Sequence, residues 1–297
     1  MNLSELTKLT EEEARQYLEA IRWPTGVVCP HCGCMEVVKL QGKSTRPGVY
    51  KCKARGCRKQ FTVTVGTIFE RSHIKLREWV LAFHLMCSSK KGVSAHQIHR
   101  SIGVTYKSAW FMCHRIRHAM STGNFTGPKL SGTVEADETY VGGKPRRKFT
   151  SKPGKGTNKA PVVALVERNG NVRVLHMPRV TAKTLRSHIR ANVETSAILN
   201  TDESPLYTKV GREQAKHETV NHKREEYARG DVYINTAESF FALLKRGVYG
   251  NFHHCSKKHL QKYCDEFSFR WDNRKVNDGV RRNTALSMAE GKRLTYR

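Results

Sequence analysis

Apolar residues recur along this chain at two spacings, and the change from one to the other lays out the predicted elements. Ala14, Tyr17, Leu18 and Ile21 fall on one stripe of a 3.6-residue repeat, opened by Thr10 with Glu13 three residues later, the signature of a capping box. Leu76, Trp79, Val80, Phe83 and Cys87 repeat at steps of three and four and predict a second amphipathic helix. Ser94 with Gln97 opens another, Gly103 breaks it, and Thr105 caps a third that runs through Trp110 and Ile116. Helix, glycine turn and helix within about 25 residues is the helix-turn-helix pattern.

Beyond residue 130 the period shortens. Residues 133–141 read as a strand with Glu135 and Asp137 on one face. Residues 161–168 and 171–177 are apolar strands joined by Asn169-Gly170, a strong hairpin signal. Thr181 then caps a helix carrying Leu185 and Ile189, and the apolar run 196–200 ends at Thr201-Asp202. Three strands able to pair antiparallel, a helical crossover, and a strand with an aspartate at its carboxyl end make the opening order of a ribonuclease-H-like α/β fold. In open α/β sheets ligands gather beyond the carboxyl ends of the strands, where Asp202 falls.

The helical period returns at 235–250. Asn235 is placed to cap, Phe240, Phe241, Leu243 and Leu244 form the apolar side, and Gly247 ends the run. Glu238 and Lys245 are seven residues apart, which puts them on nearly the same side, two turns apart. Two readings compete. The pair is an acid and a base sharing a working face, or Glu238 closes a capping box with Asn235 while Lys245 suits the helix dipole. Leu260, Tyr263, Cys264, Phe267 and Trp271 form a last stripe, read as core packing.

The pattern predicts a multidomain α/β chain. Residues 1–70 hold a helix and two close cysteine pairs, 71–125 the helix-turn-helix segment, and 126–297 the ribonuclease-H-like mixed-sheet domain. A length of 297 residues suits several cores better than one.

Charge sharpens the picture. Lys and Arg number 53 against 26 Asp and Glu, a net +27 that points to a polyanionic partner, with nucleic acid foremost. In the helix-turn-helix segment Tyr106, Lys107 and Ser108 are then expected at base edges, with Arg115, Arg117 and His118 toward phosphates. His84, His96, His99, His114 and His118 are read as surface or phosphate-facing groups, and Arg270 and Arg274 as available to DNA. Residues 142–159 hold seven basic residues and no acid, so Arg146, Arg147 and Lys148 join the expected DNA contacts. No apolar run approaches the roughly 20 residues that span a bilayer, and the first residues are acidic and polar. The expectation is a cytoplasmic protein with no membrane partner.

Nine cysteines, an odd number, suit metal ligation in a reducing compartment. Cys29 and Cys32 form one knuckle, and Cys52 and Cys57 a second, wider than the usual two-residue gap, around strand-like stretches at 36–40 and 49–51. Four thiolates predict a tetrahedral zinc ribbon, structural because no coordination position stays open for water. Cys34 is the alternative ligand.

Asp137, Asp202 and Glu238, from a strand, a strand end and a later helix, can converge on one point. Hard oxygens of this kind bind magnesium, and two such ions support in-line displacement at a phosphodiester. Glu135 shares the face of Asp137 and stays open as a substitute ligand. Glu203 does too, whereas Glu138 points to the opposite face. His217, Asn221 and His222 are read as structural hydrogen-bonding groups.

These residues sit in stretches that resemble a known family. EADETYVGG, TDESPLY and NTAESFFALLKRG, with CPHCG, KQFTVTVGTIF and HLQKYCDEFSFRWDNR, are similar to the ISXO-like insertion-sequence transposases, relatives of the eukaryotic Merlin elements. The resemblance implies a DDE transposase fronted by a zinc ribbon. It implies that Asp137, Asp202 and Glu238 bind catalytic Mg2+ or Mn2+, and that Lys245 contacts DNA near the scissile end. The step of 36 residues from 202 to 238 is the spacing the family shows. It further implies recognition of terminal inverted repeats by the ribbon and helix-turn-helix, strand cleavage and transfer into target DNA, and at least a homodimer on DNA. Two rivals stand beside this reading: a metal-dependent nuclease on the same fold, and a catalytically silent, repressor-like DNA-binding remnant.

Overall fold

The computed structural model describes residues 1–121, 127–142, 159–221, 224, 226 and 228–295. The chain divides into two compact units, Met1–Ser121 with Lys275–Arg297, and Thr122–Arg274. The expected 1–70 and 71–125 segments thus fall in one unit. The last 23 residues, expected with the α/β domain, join that unit instead.

In the first unit α1 (Leu3–Thr7) and α2 (Glu11–Arg22) lead into β1 (Val37–Lys39), β2 (Tyr50–Cys52) and β3 (Gln60–Phe61). The Thr10–Glu13 capping box that opens α2 forms as expected, with hydroxyl and carboxylate each accepting from the other residue's amide. The three strands pair antiparallel. Trp23, Tyr50 and Phe61 meet with ring centroids 5.6–6.0 Å apart and supply a core to a segment otherwise rich in charge. Helices α3 (Leu76–Ser88), α4 (Ala95–Ile102) and α5 (Tyr106–Met120) follow. Ser94 and Thr105 cap α4 and α5, and Gly103 between them takes a left-handed φ of 83°, which a side chain would strain. The final helix, α10 (Asp278–Ser287), packs on α2, α3 and α5.

The second unit is built on β4 (Thr133–Val141), β5 (Ala160–Glu167), β6 (Val172–His176), β7 (Ile198–Thr201) and β8 (Lys216–Thr219), in the spatial order β6-β5-β4-β7-β8. β4, β5 and β6 pair antiparallel, whereas β7 and β8 run parallel to β4. This is the ribonuclease-H-like mixed sheet that the strand order predicts. The hairpin between β5 and β6 turns at Asn169, whose φ is +61°. Thr181 caps α6 (Ala182–Asn192), the crossover into β7, and α7 (Thr208–Gly211) precedes β8.

Alternate residues of β5 feed two cores. Val162, Ala164 and Val166 pack toward α8 (Asn235–Gly247) and α9 (Lys257–Asp272), through Phe240, Phe241, Leu244, Leu260 and Phe267. Val163 and Leu165 join Val134, Ala136, Leu185 and Ile189 on the face of α6. The sheet is therefore covered on both sides, and Glu135 and Asp137 point to the α8 side. A short hairpin of β9 (Ala228–Arg229) and β10 (Val232–Tyr233) leads into α8, which continues as a π-turn over Val248–Phe252.

Candidate active site and metal site

The ribbon brings Cys29, Cys32, Cys52 and Cys57 together, with all four Sγ atoms within 4.8 Å of one another. Each sulfur of the first knuckle faces one of the second, Cys29 to Cys57 at 3.8 Å and Cys32 to Cys52 at 3.6 Å. Local turns create the cluster. The Gly33 amide donates to the Cys29 carbonyl, and the amides of Cys57 and Arg58 both donate to Ala54, with Arg58 at φ +46°. That second turn absorbs the wide gap in the second knuckle. Cys34 stands outside the cluster, its sulfur accepting from the Glu36 amide. Four converging thiols in a small ribbon are a structural zinc site.

The carboxylates come from three elements of the second unit. Parallel pairing matches Thr133 with Ile198 and Glu135 with Asn200, with Asp137 two residues further along β4 and Asp202 directly after the end of β7. Glu238 lies in the first turn of α8, exposed, and Lys245 is exposed in its last turn. Burial pushes the Asp137 carboxyl up to about 7, opposed by the Glu138 amide that donates to it at 2.7 Å. The charges of Glu138, Asp202 and Glu238 push in the same direction as burial. Asp202 accepts from the Ser204 amide at 3.0 Å. Among the described residues, the cysteines alone form a group of three or more metal-ligand atoms inside 4.8 Å, and the three carboxylates do not. Hard oxygens that repel one another still suit a divalent cation such as Mg2+ or Mn2+, whose charge offsets that repulsion.

The capping-box reading of Glu238 does not hold. The residue before α8 is Ile234, which has no capping side chain, and Asn235 is already helical. The cap comes from β4 instead. Glu135, completely buried, accepts from the amides of Thr236 (2.7 Å) and Ala237 (3.0 Å), from the Thr236 hydroxyl (2.9 Å) and from Arg168 Nε (2.8 Å). With four donors its oxygens are filled, so Glu135 is a cap and an ion-pair partner and no substitute ligand. Sequence reasoning missed this role because cap and helix are about a hundred residues apart and no local pattern announces it. Glu138 accepts from the Tyr207 hydroxyl at 2.5 Å. His217 Nε2 lies 3.0 Å from the Thr201 hydroxyl, the structural hydrogen bond expected of it.

Of the expected DNA contacts, Tyr106 and Lys107 are exposed at the start of α5, where Tyr106 stacks on His96 at 4.1 Å between centroids. Ser108 is half-buried, and its amide and hydroxyl both bond the Thr105 hydroxyl. Arg115 requires correction. It is 7% exposed and donates to the backbone carbonyls of Ile68, Glu70 and Leu294, acceptors that need a donor once removed from water. Arg117, His84 and His114 are likewise buried, and Arg270 is buried in an ion pair with Glu266. Arg274 stacks on Trp271 and donates to Gly170. Arg146, Arg147, Lys148 and His222 lie outside the described residues. No described helix is long and apolar enough to cross a membrane.

Residues 129–272 match the ISXO2-like transposase domain family, and residues 9–60 match the transposase zinc-ribbon domain family. The chain is 30% identical over 278 residues to an uncharacterized protein in transposable element ISH50 of Halobacterium salinarum, covering 89% of this chain and 92% of the relative. Among solved structures, a chain of the simian T-cell lymphotropic virus intasome in complex with PP2A regulatory subunit B56 gamma matches at 16% identity and a TM-score of 0.32, over 67% of each chain. A chain of the Mos1 strand transfer complex matches at 13% identity and a TM-score of 0.27, over 66% of this chain and 70% of the other. At these scores neither likeness bears on partner or mechanism.

Proposed function

The chain belongs to the ISXO2-like transposase family, and from that premise we propose that it binds the terminal inverted repeats of an insertion sequence and cuts and joins DNA at Asp137, Asp202 and Glu238. The observation that supports the reading is that the other two carboxylates act electrostatically on Asp137. Asp202 follows the end of β7, the strand paired with β4, and the charges of Asp202 and of Glu238, from a helix packed on the same sheet, both reach Asp137.

Asp137, Asp202 and Glu238 would hold Mg2+ or Mn2+, which when bound supplies charge for the phosphoryl oxygens and for the attacking and leaving groups. In the first reaction water attacks a phosphodiester at the element end, and the 3′ oxygen leaves as a hydroxyl. In the second, that 3′ hydroxyl attacks a target phosphodiester, forming one P–O bond as the target's P–O bond breaks. Lys245, exposed two turns beyond Glu238, supplies positive charge to the DNA backbone beside the cut. Exposed Tyr106 and Lys107 read the repeat from the start of α5, and the net charge of +27 supports an extended duplex as the partner. Joining two ends requires at least two copies of the chain.

The test is incubation of the full-length zinc-loaded protein with a labelled duplex of the gene's flanking DNA and a target plasmid. Cut ends joined to the plasmid support transposition. Cut ends that never join indicate a nuclease, and binding without cutting indicates a silent DNA-binding remnant.

A further inference from the structure

Asp137 is flanked on β4 by two glutamates, and each ties this strand to an element carrying another of the three carboxylates. On one face Glu135 holds the start of α8. Its carboxylate takes the two amides and the hydroxyl that open the helix, so the first turn, and Glu238 in it, is fastened two residues from Asp137. Arg168 completes the clamp by donating to Glu135 and to the carbonyls of Asp231 (2.7 Å) and Tyr233 (3.0 Å), with its guanidinium 3.6 Å over the Tyr233 ring. The Tyr233 carbonyl also accepts from Asn200 of β7 at 3.3 Å, two residues before Asp202. On the opposite face Glu138 accepts from Tyr207, a fully buried residue five positions after Asp202.

We propose that Glu135 and Glu138 are positioning residues that set the spacing of Asp137, Asp202 and Glu238. Glu135 acts through α8, and Glu138 through Tyr207 on the segment that follows Asp202. The inference rests on the reading of those three carboxylates as one metal-binding site. A cap taken from α8's own sequence would stabilise the helix without relating it to β4, whereas a cap from β4 fixes the helix start against the strand. A complete burial of Glu135 with four short contacts leaves little freedom for that distance to vary.

Two variants separate positioning from folding. Glu135→Gln keeps size and an acceptor but loses the charge opposite Arg168. Tyr207→Phe keeps the ring in the core and removes only the hydroxyl. In full-length zinc-loaded protein, Mn2+ is titrated by electron paramagnetic resonance, with Asp137→Asn locating the site. DNA affinity, thermal melting and single-turnover cleavage at saturating Mn2+ are read alongside. The expected result is a Mn2+ affinity lower by roughly 10-fold or more in both variants, as loss of a ligand's supporting partner produces. Cleavage falls in parallel, DNA affinity is unchanged, and Glu135→Asp recovers part of the loss. Parental Mn2+ affinity and cleavage in both folded variants would overturn the assignment. A parent that binds Mn2+ at Asp137 but neither cuts nor joins DNA would sink the transposition reading alone, with the affinities still deciding the bracket. A parent with no Asp137-dependent Mn2+ site would overturn both.

Discussion

The cysteine cluster and the carboxylate cluster are built by opposite means. The thiols belong to two short turns within 29 residues, and their sulfurs close to within 4.8 Å through local backbone geometry. The carboxylates span 102 residues from Asp137 to Glu238, and only the pairing of β4 with β7 and the docking of α8 bring them near one another. A closed thiolate site suits a structural ion, because nothing further has to enter. The oxygen site proposed at Asp137, Asp202 and Glu238, with its glutamate exposed, would leave room for substrate phosphates among the ligands. The first site thus depends on its own turns and the second on the whole sheet, so damage should spread differently from each.

The largest effect should follow zinc removal. Cys52→Ser, or strong chelation, is expected to forfeit metal binding worth on the order of 10 kcal/mol that is coupled to folding of the ribbon. Zinc content and the melting of the first unit would fall while carboxylate-dependent Mn2+ binding persists. A matching loss of Mn2+ binding would break the separation. Next, Asp202→Asn should reduce cleavage by roughly 10^3-fold, the scale seen when a group stabilising transition-state charge is lost. Zinc content and the melting curve should stay parental. Arg168→Met removes the cationic partner of a completely buried carboxylate and should destabilise the second unit by about 3–5 kcal/mol in denaturant titration, with the zinc site untouched. A cost near zero would mean that the amides of α8 suffice to hold Glu135.

The smallest effects contrast two residues of α5. Arg115→Ala exposes buried carbonyls to loss of their donor and should cost about 1–3 kcal/mol of stability without altering how DNA affinity depends on salt. Lys107→Ala should do the reverse, leaving the melt unchanged and lowering the salt slope of DNA binding by about 1. Fluorescence anisotropy across a salt series, beside a melting curve, distinguishes them.

Much of this was legible wherever the deciding interaction is local. Thr10, Ser94, Thr105 and Thr181 cap helices through amides three residues away, and Asn169 turns a hairpin between neighbouring strands. The cysteine ligands were readable for the same reason, whereas Cys34 stayed open as an alternative until the turns placed it outside the cluster. What was not legible depends on residues far apart in the chain. Asn235 has the right chemistry for a cap, yet Glu135 fills that role from 101 residues away because the sheet presents its carboxylate to the helix start. Arg115 has the charge expected of a phosphate contact, but the backbone carbonyls of Ile68 and Leu294, distant in sequence, turn it inward. Helix α10 lies beyond the last apolar stripe, and its place with the first unit follows from packing on α2, α3 and α5.

The most direct test of the central claim is mapping the 3′ ends made on labelled duplexes of the gene's flanking DNA, with Mg2+ or Mn2+, by the parent and by Glu238→Gln. Glu238 is exposed and caps nothing, so the variant should fold, keep its zinc and bind DNA like the parent. The account predicts a single 3′ end at the repeat boundary from the parent and none from Glu238→Gln. Equal cutting by both proteins, at the same position and rate, would contradict it.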